Sequence, residues 1–202
     1  MMKFAEAAPK VMLGVPGCSV PEAVEALRFA VIEFCTRTRI LSNWVERQSN
    51  ALTFDTTGAD ATQVVQLLDA KVDGRDATVL HRNSADLERA SVMRPVLLHD
   101  QDLNTSLKIL PEPSPPLPVR LFVAFAPTPD ATEFPDFLWL AHREALKHGA
   151  LARLLAEPGT TYVNDAKAAW HLSEFQTKAD ELATQIGLNQ VVVAHRLRVN
   201  PA

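Results

Sequence analysis

Glycine is scarce in this chain: 7 of 202 residues, spread from Gly14 to Gly187. Neither G-x-G-x-x-G nor G-x-x-x-x-G-K occurs, so no glycine-rich phosphate loop is expected. An excess of basic charge is also missing. Lys and Arg number 20 against 24 Asp and Glu, a formal net charge of −4, which excludes a wholly basic nucleic-acid binder. Cysteine occurs twice, at Cys18 and Cys35. A chain of this length can bury a core without covalent staples, so free thiols are expected, with a disulfide as the open alternative. Long apolar runs are absent. Glu6, Pro9 and Lys10 break up the N-terminus before it reaches the length of a secretory h-region. The most apolar stretch, 134–156, carries Asp136, Arg143, Glu144, Lys147 and Arg153, so it reads as a buried helix of a soluble protein and not as a membrane span.

What the chain has in quantity is ordinary globular material and proline. Hydrophobic residues make up 47% and charged residues 22%, far from the composition of a disordered chain. Eight of the 14 prolines fall between 111 and 135, where they mark a stiff, extended connection and a strand edge. Ser19-Val20-Pro21-Glu22 is a capping box with proline in the first turn. Val24, Leu27, Val31 and Phe34 then recur at helical spacing until Arg37–Arg39. Between 40 and 126 the pattern turns to short β-type runs. Val64–Val72, Asp73-Gly74 and Arg75–His81 read as a hairpin with a type I′ turn, and Val64, Leu68, Ala70 and Val72 share one face. A short helix is read at 83–89, and strands at 103–110 and 119–125 flank the proline run as a pair. Phe137–Ala156 is helical and apolar on more than one face, ended by Pro158-Gly159. A last helix, capped by Asn164 or Asp165, carries the stripe Ala168, Leu172, Phe175, Ala179, Leu182, Ile186, with Gly187 at its C′ position.

These elements describe an α+β fold: a bundle of three main helices, an inserted β-hairpin or small-sheet lobe, and an extended C-terminal tail. The expected segments are an N-terminal arm (1–18), a helical body (19–39 and 134–187), a β-rich lobe with the proline-rich segment (40–133) and the tail (188–202).

Sites for chemistry are weak. His142 and His148 are six residues apart, about 120° around a helix, unlike the i, i+4 pair of a zinc protease. His171 could approach either ring from the last helix. Cys18 precedes a helix N-terminus, where a thiol pKa can fall, but no serine or cysteine sits in a nucleophile motif. Carboxylate pairs such as Asp100/Asp102 and Asp180/Glu181 read as solvated. In the tail, Arg196 and Arg198 alternate with Leu197 and Val199, a pattern that suits strand addition to a partner or an edge strand of the middle sheet.

Three stretches taken in order resemble the head-to-tail adaptor, or head-completion, proteins of tailed and especially short-tailed bacteriophages. They are Pro16-Gly17-Cys18 with the helix ending Phe34-Cys35-Thr36-Arg37-Thr38-Arg39; the hairpin around Asp73-Gly74-Arg75; and Phe134-Pro135-Asp136-Phe137-Leu138 followed by Glu144 to Leu155 with its Gly149-Ala150-Leu151 block. Two departures from the family pattern are Tyr162 in place of a tryptophan and Ser19-Val20 between Cys18 and Pro21. The resemblance implies a structural virion protein of the neck, not an enzyme and without a cofactor or metal. It implies a ring of copies of this chain, usually twelve, between the portal protein and the tail tube or nozzle, with double-stranded DNA passing through without specific binding. Assembly would take place in the host cytoplasm, with no membrane partner. In that role the tail residues Val191, Val193, His195, Arg196, Leu197, Arg198 and Val199 are the expected portal-docking segment. The hairpin tip Asp73, Gly74 and Arg75 is the expected tail-side contact. A stopper or tail-terminator ring is the alternative of the same class. A small intracellular enzyme built on His142, His148 and His171 is the alternative of another class.

Overall fold

The computed structural model describes residues 1–52, 61–81, 95–99 and 107–188. The short helix read at 83–89, the first part of the strand read at 103–110 and the C-terminal tail lie outside these residues. The chain forms two compact units, whose described parts are 1–40, 61–62 and 126–188 for the first and 41–52, 63–81, 95–99 and 107–125 for the second.

Among the described residues the first unit holds four helices and a small sheet: β1 (Met2–Lys3), α1 (Phe4–Met12), α2 (Val20–Thr38), β9 (Glu133–Phe134), α3 (Asp136–Leu155) and α4 (Asp165–Gly187). β1 and β9 pair antiparallel, Met2 opposite Phe134. The N-terminal segment read as an arm is therefore largely a packed helix. Phe4, Ala7, Ala8 and Val11 are buried at i, i+3, i+4, i+7 spacing, while Pro9 lies on the exposed side. Pro9 obscured that stripe because an internal proline normally ends a helix. The Phe4 ring stacks on Phe134 at 4.6 Å, and the Arg28 guanidinium lies over it at 5.6 Å.

α2 begins as its sequence requires. The Ser19 backbone N–H donates to a Glu22 carboxylate oxygen at 2.7 Å, and the Ser19 hydroxyl accepts from the Glu22 N–H at 3.4 Å. Replacing Ser19 with alanine is expected to cost about 1 kcal/mol of helical-unit stability, measured as a shift of the urea midpoint. α2 ends at Arg39, whose φ of 57° is left-handed and whose N–H bonds the Cys35 carbonyl. α4 is capped by Asn164, whose side chain accepts from the Lys167 N–H at 3.0 Å. Its buried stripe is Ala168, Phe175, Ala179 and Leu182. Leu172 departs from the expected stripe and is 41% exposed, and Gly187 belongs to the last helical turn, with Leu188 as the cap. Asp180 is exposed, as read, and in addition takes a two-pronged bond from Arg37 of α2 at 2.6 and 2.8 Å.

The second unit contains a four-stranded sheet in the order β2-β8-β3-β4 and a three-stranded sheet in the order β5-β6-β7. These strands are β2 (Ser42–Gln48), β3 (Thr62–Val72), β4 (Arg75–Asp76), β5 (Thr78–His81), β6 (Val96–His99), β7 (Lys108–Leu110) and β8 (Pro118–Pro127). β8 runs antiparallel to β2 from Ser42 opposite Ala124 to Gln48 opposite Pro118. Val119, Leu121, Val123 and Phe125 are buried as their alternation predicts, and Ala124 and Ala126 are buried as well. Two expectations fail here. The second arm of the hairpin pairs with β3 only over Arg75–Asp76, then Thr78–His81 joins β6 as a parallel neighbour. The strands on either side of the proline run also belong to different sheets, β7 beside β6 and β8 beside β2. In β3, Leu67 is buried in addition to Val64, Ala70 and Val72, whereas Leu68 is half-buried, so apolar residues are covered on both faces of that strand.

Candidate functional site

The hairpin tip has the geometry its sequence demands. Asp73 and Gly74 take φ values of 49° and 75°, the positive pair of a type I′ turn that suits the twist of a two-residue hairpin. Asp73, Gly74 and Arg75 are all exposed. The turn is anchored by the Asp73 N–H, which donates to the Pro118 carbonyl at 2.8 Å, and by the Lys71–Asp76 ion pair at 3.3 Å. Behind it one face of the sheet carries Trp44 and Phe122 in register, ring centroids 5.2 Å apart. The Arg120 guanidinium lies 5.2 Å and the Lys71 ammonium 6.0 Å from the Trp44 ring. Those cations are balanced locally, Lys71 by Asp76 and Arg120 by Glu46 at 3.4 Å. The tip is thus an exposed polar projection tied to β8 through the Asp73 N–H and backed by an aromatic pair. Sequence reasoning found the turn but missed Trp44 and Phe122, because their juxtaposition needs the β2–β8 register across some 70 residues of chain.

The expected portal-docking residues Val191, Val193, His195, Arg196, Leu197, Arg198 and Val199 lie outside the described residues.

The three histidines of the enzyme alternative are only partly brought together. His171 of α4 reaches His148 of α3, with the two Nδ1 atoms 2.9 Å apart. His142 instead packs on Phe34 at 5.3 Å, at a point where α3 departs from helical geometry, φ −125° and ψ 17°. Burial lowers the pKa of all three below the ordinary 6.5 of imidazole. The folded chain therefore binds protons less readily than the unfolded chain in that range. Stability is complete above about pH 6.5 and declines as pH falls through the lowered values. A fall in the urea midpoint from pH 7 to pH 5 is expected, and a shallower fall for His142→Phe, which removes one of the three groups.

Both cysteines are buried free thiols. At Cys18 the helix N-terminus does not produce a reactive thiolate: burial first, then the charge of Glu22, push its pKa up. Burial raises Cys35 strongly as well. Among the described residues no three His, Cys, Asp or Glu side chains gather as a metal-binding group, and no helix is long and apolar enough to cross a membrane.

Several apolar side chains of the helical unit face outward. Leu140 of α3 is 79% exposed and Trp170 of α4 is 56% exposed. No family model and no curated protein matches this chain. The functional reading therefore rests on the geometry above and on the motifs of the sequence.

Proposed function

We propose that this chain is a structural protein of the bacteriophage neck, a subunit of the adaptor ring between portal and tail. The observation that carries the reading is that Leu140 of α3 and Trp170 and Leu172 of α4 stay exposed on different sides of the helical unit, apolar side chains that neighbouring subunits on either side in a ring would cover. The adaptor-like motifs support it through their structural roles. Pro16-Gly17-Cys18 leads into the capped α2, and Gly149 of the Gly-Ala-Leu block faces Ala30 of α2 and Phe175 of α4 at close range. The hairpin tip offers an exposed contact toward the tail side, and the net charge of −4 suits a conduit that lets DNA pass without holding its phosphates.

Negative-stain imaging of the chain mixed with portal rings of the same virion tests the proposal. A ring seated on the portal is expected, and deletion of 188–202 is expected to abolish seating while the far-UV circular dichroism of the helices persists. Particles that bind tail tubes but not portals would instead identify a stopper or terminator ring. Binding to neither would overturn the neck assignment.

A further inference from the structure

The helical unit carries an open groove among α2, α3 and α4. Farther along, α2 and α4 are bridged by the Phe34–Phe175 ring contact at 6.2 Å and by the Arg37–Asp180 ion pair at 2.6 Å. Toward their N-terminal ends the side chains between them are small. Gly149 and Ala152 of α3, Ala30 of α2, and Ala168 and Leu172 of α4 line a space of about 400 Å3. Such a gap leaves its lining atoms without the contacts that close packing supplies elsewhere. The rim is charged. Glu33 and Asp165 stand on it, both exposed, while the Arg153 guanidinium lies over the Phe29 ring at 3.8 Å and its stem adds apolar surface.

The other side of α3 presents a knob. Leu140, Arg143 and Glu144 are exposed at i, i+3, i+4 spacing, the spacing that Gly149, Ala152 and Arg153 have on the groove side. The two sets are nine residues apart, about 180° around a helix of 3.6 residues per turn. Leu140 therefore projects away from the groove. It is 79% exposed, and beside it the Arg143 side chain is 65% exposed, with Glu144 as its ion-pair partner at 3.5 Å. A leucine next to a cation thus stands on one side of the unit, and an apolar groove rimmed by two carboxylates opens on the other.

We propose that Leu140 of one copy of this chain enters the groove of the next copy, a head-to-tail contact that rests on the ring reading above. A knob and a hole on opposite sides of one subunit make a heterologous interface, the kind that closes into a ring when its rotation allows. Leu140 is then covered beside Leu172, and Arg143 meets Glu33 and Asp165. One leucine in one groove buries far less than the roughly 1,200 Å2 of a stable pair. Association is accordingly expected on the portal, which holds neighbouring copies at high effective concentration.

Disulfide trapping tests the contact. In a Leu140→Cys/Ala169→Cys chain the new thiols occupy exposed positions, Ala169 being part of the groove lining, and the buried Cys18 and Cys35 stay out of the reaction. After mild oxidation of this chain seated on portal rings, a non-reducing gel should show a ladder of covalent multimers, whereas either single variant should give nothing beyond a dimer. Leu140→Asp, a change at an exposed site, should lower seating about tenfold or more at equal chain concentration, the size of effect expected of an interface anchor. Seated rings of the double variant that yield nothing beyond a dimer would overturn the contact and leave the neck reading standing, as would undiminished seating of Leu140→Asp. If the unaltered chain forms no ring on portals, the neck reading fails and this contact fails with it.

Discussion

Phe175→Ala is expected to destabilise the helical unit by about 3–5 kcal/mol, read as a large fall in the urea midpoint of the far-UV signal. The ring is fully buried on α4 and sits 6.2 Å, centroid to centroid, from Phe34 of α2, at a mutual tilt of 49°. It also lies against Gly149 of α3. Three helices thus meet on one side chain, and none can close the space it would leave without moving against the other two. Partial collapse of the cavity would lower the cost towards that of a single large-to-small change on a helix surface. An effect below about 1 kcal/mol, within the range of ordinary surface substitutions, would show that Phe175 does not hold the bundle together.

Gly149→Val is expected to cost about 3 kcal/mol, at the upper end of overpacking penalties. A Cβ at this position would stand 2.8 and 2.9 Å from two Phe175 ring carbons and 2.9 Å from the Ala30 Cβ. These atoms have no slack, since the ring is enclosed and the alanine methyl is fixed to the α2 backbone. Gly149→Ala meets the same first contact, and the improved helix propensity of alanine, about 1 kcal/mol, offsets only part of it. The two sites should be strongly non-additive. Phe175→Leu removes the ring atoms that the new Cβ meets, so Gly149→Ala should be less damaging in a Phe175→Leu background than in the unaltered chain. Thermal melts of the four proteins measure the coupling directly.

Local chemistry made parts of both units readable in advance. Ser19 and Glu22 form their box because both partners lie within one turn, and Asp73-Gly74 forms its turn because the conformation is set by two adjacent residues. What sequence reading missed depends on partners distant in the chain. Thr78–His81 looks like the continuation of a hairpin until the parallel neighbour Val96–His99 is known. Leu172 fits the period of the α4 stripe, yet it falls at the margin of that face and remains exposed. α1 was hidden by Pro9, whose helix-breaking tendency is overridden by the burial of four residues on the opposite side. At the histidines, spacing correctly separated His142 from His148, but only the packing of α3 on α4 selects His148 as the partner of His171. The aromatic face behind the hairpin tip was likewise invisible, because Trp44 and Phe122 are joined only by strand register.

That β2–β8 register also has a kinetic consequence. Helices α3 and α4 are consecutive in sequence, so their docking requires only a short loop to close. The ladder from Ser42–Ala124 to Gln48–Pro118 must instead close a loop of about 70 residues, an entropic barrier of about 4 kcal/mol before any constant term. High contact order of this kind slows folding. The α3–α4 hairpin is therefore the natural early structure, and the pairing of β2 with β8 is the slower event on which completion of the native chain waits.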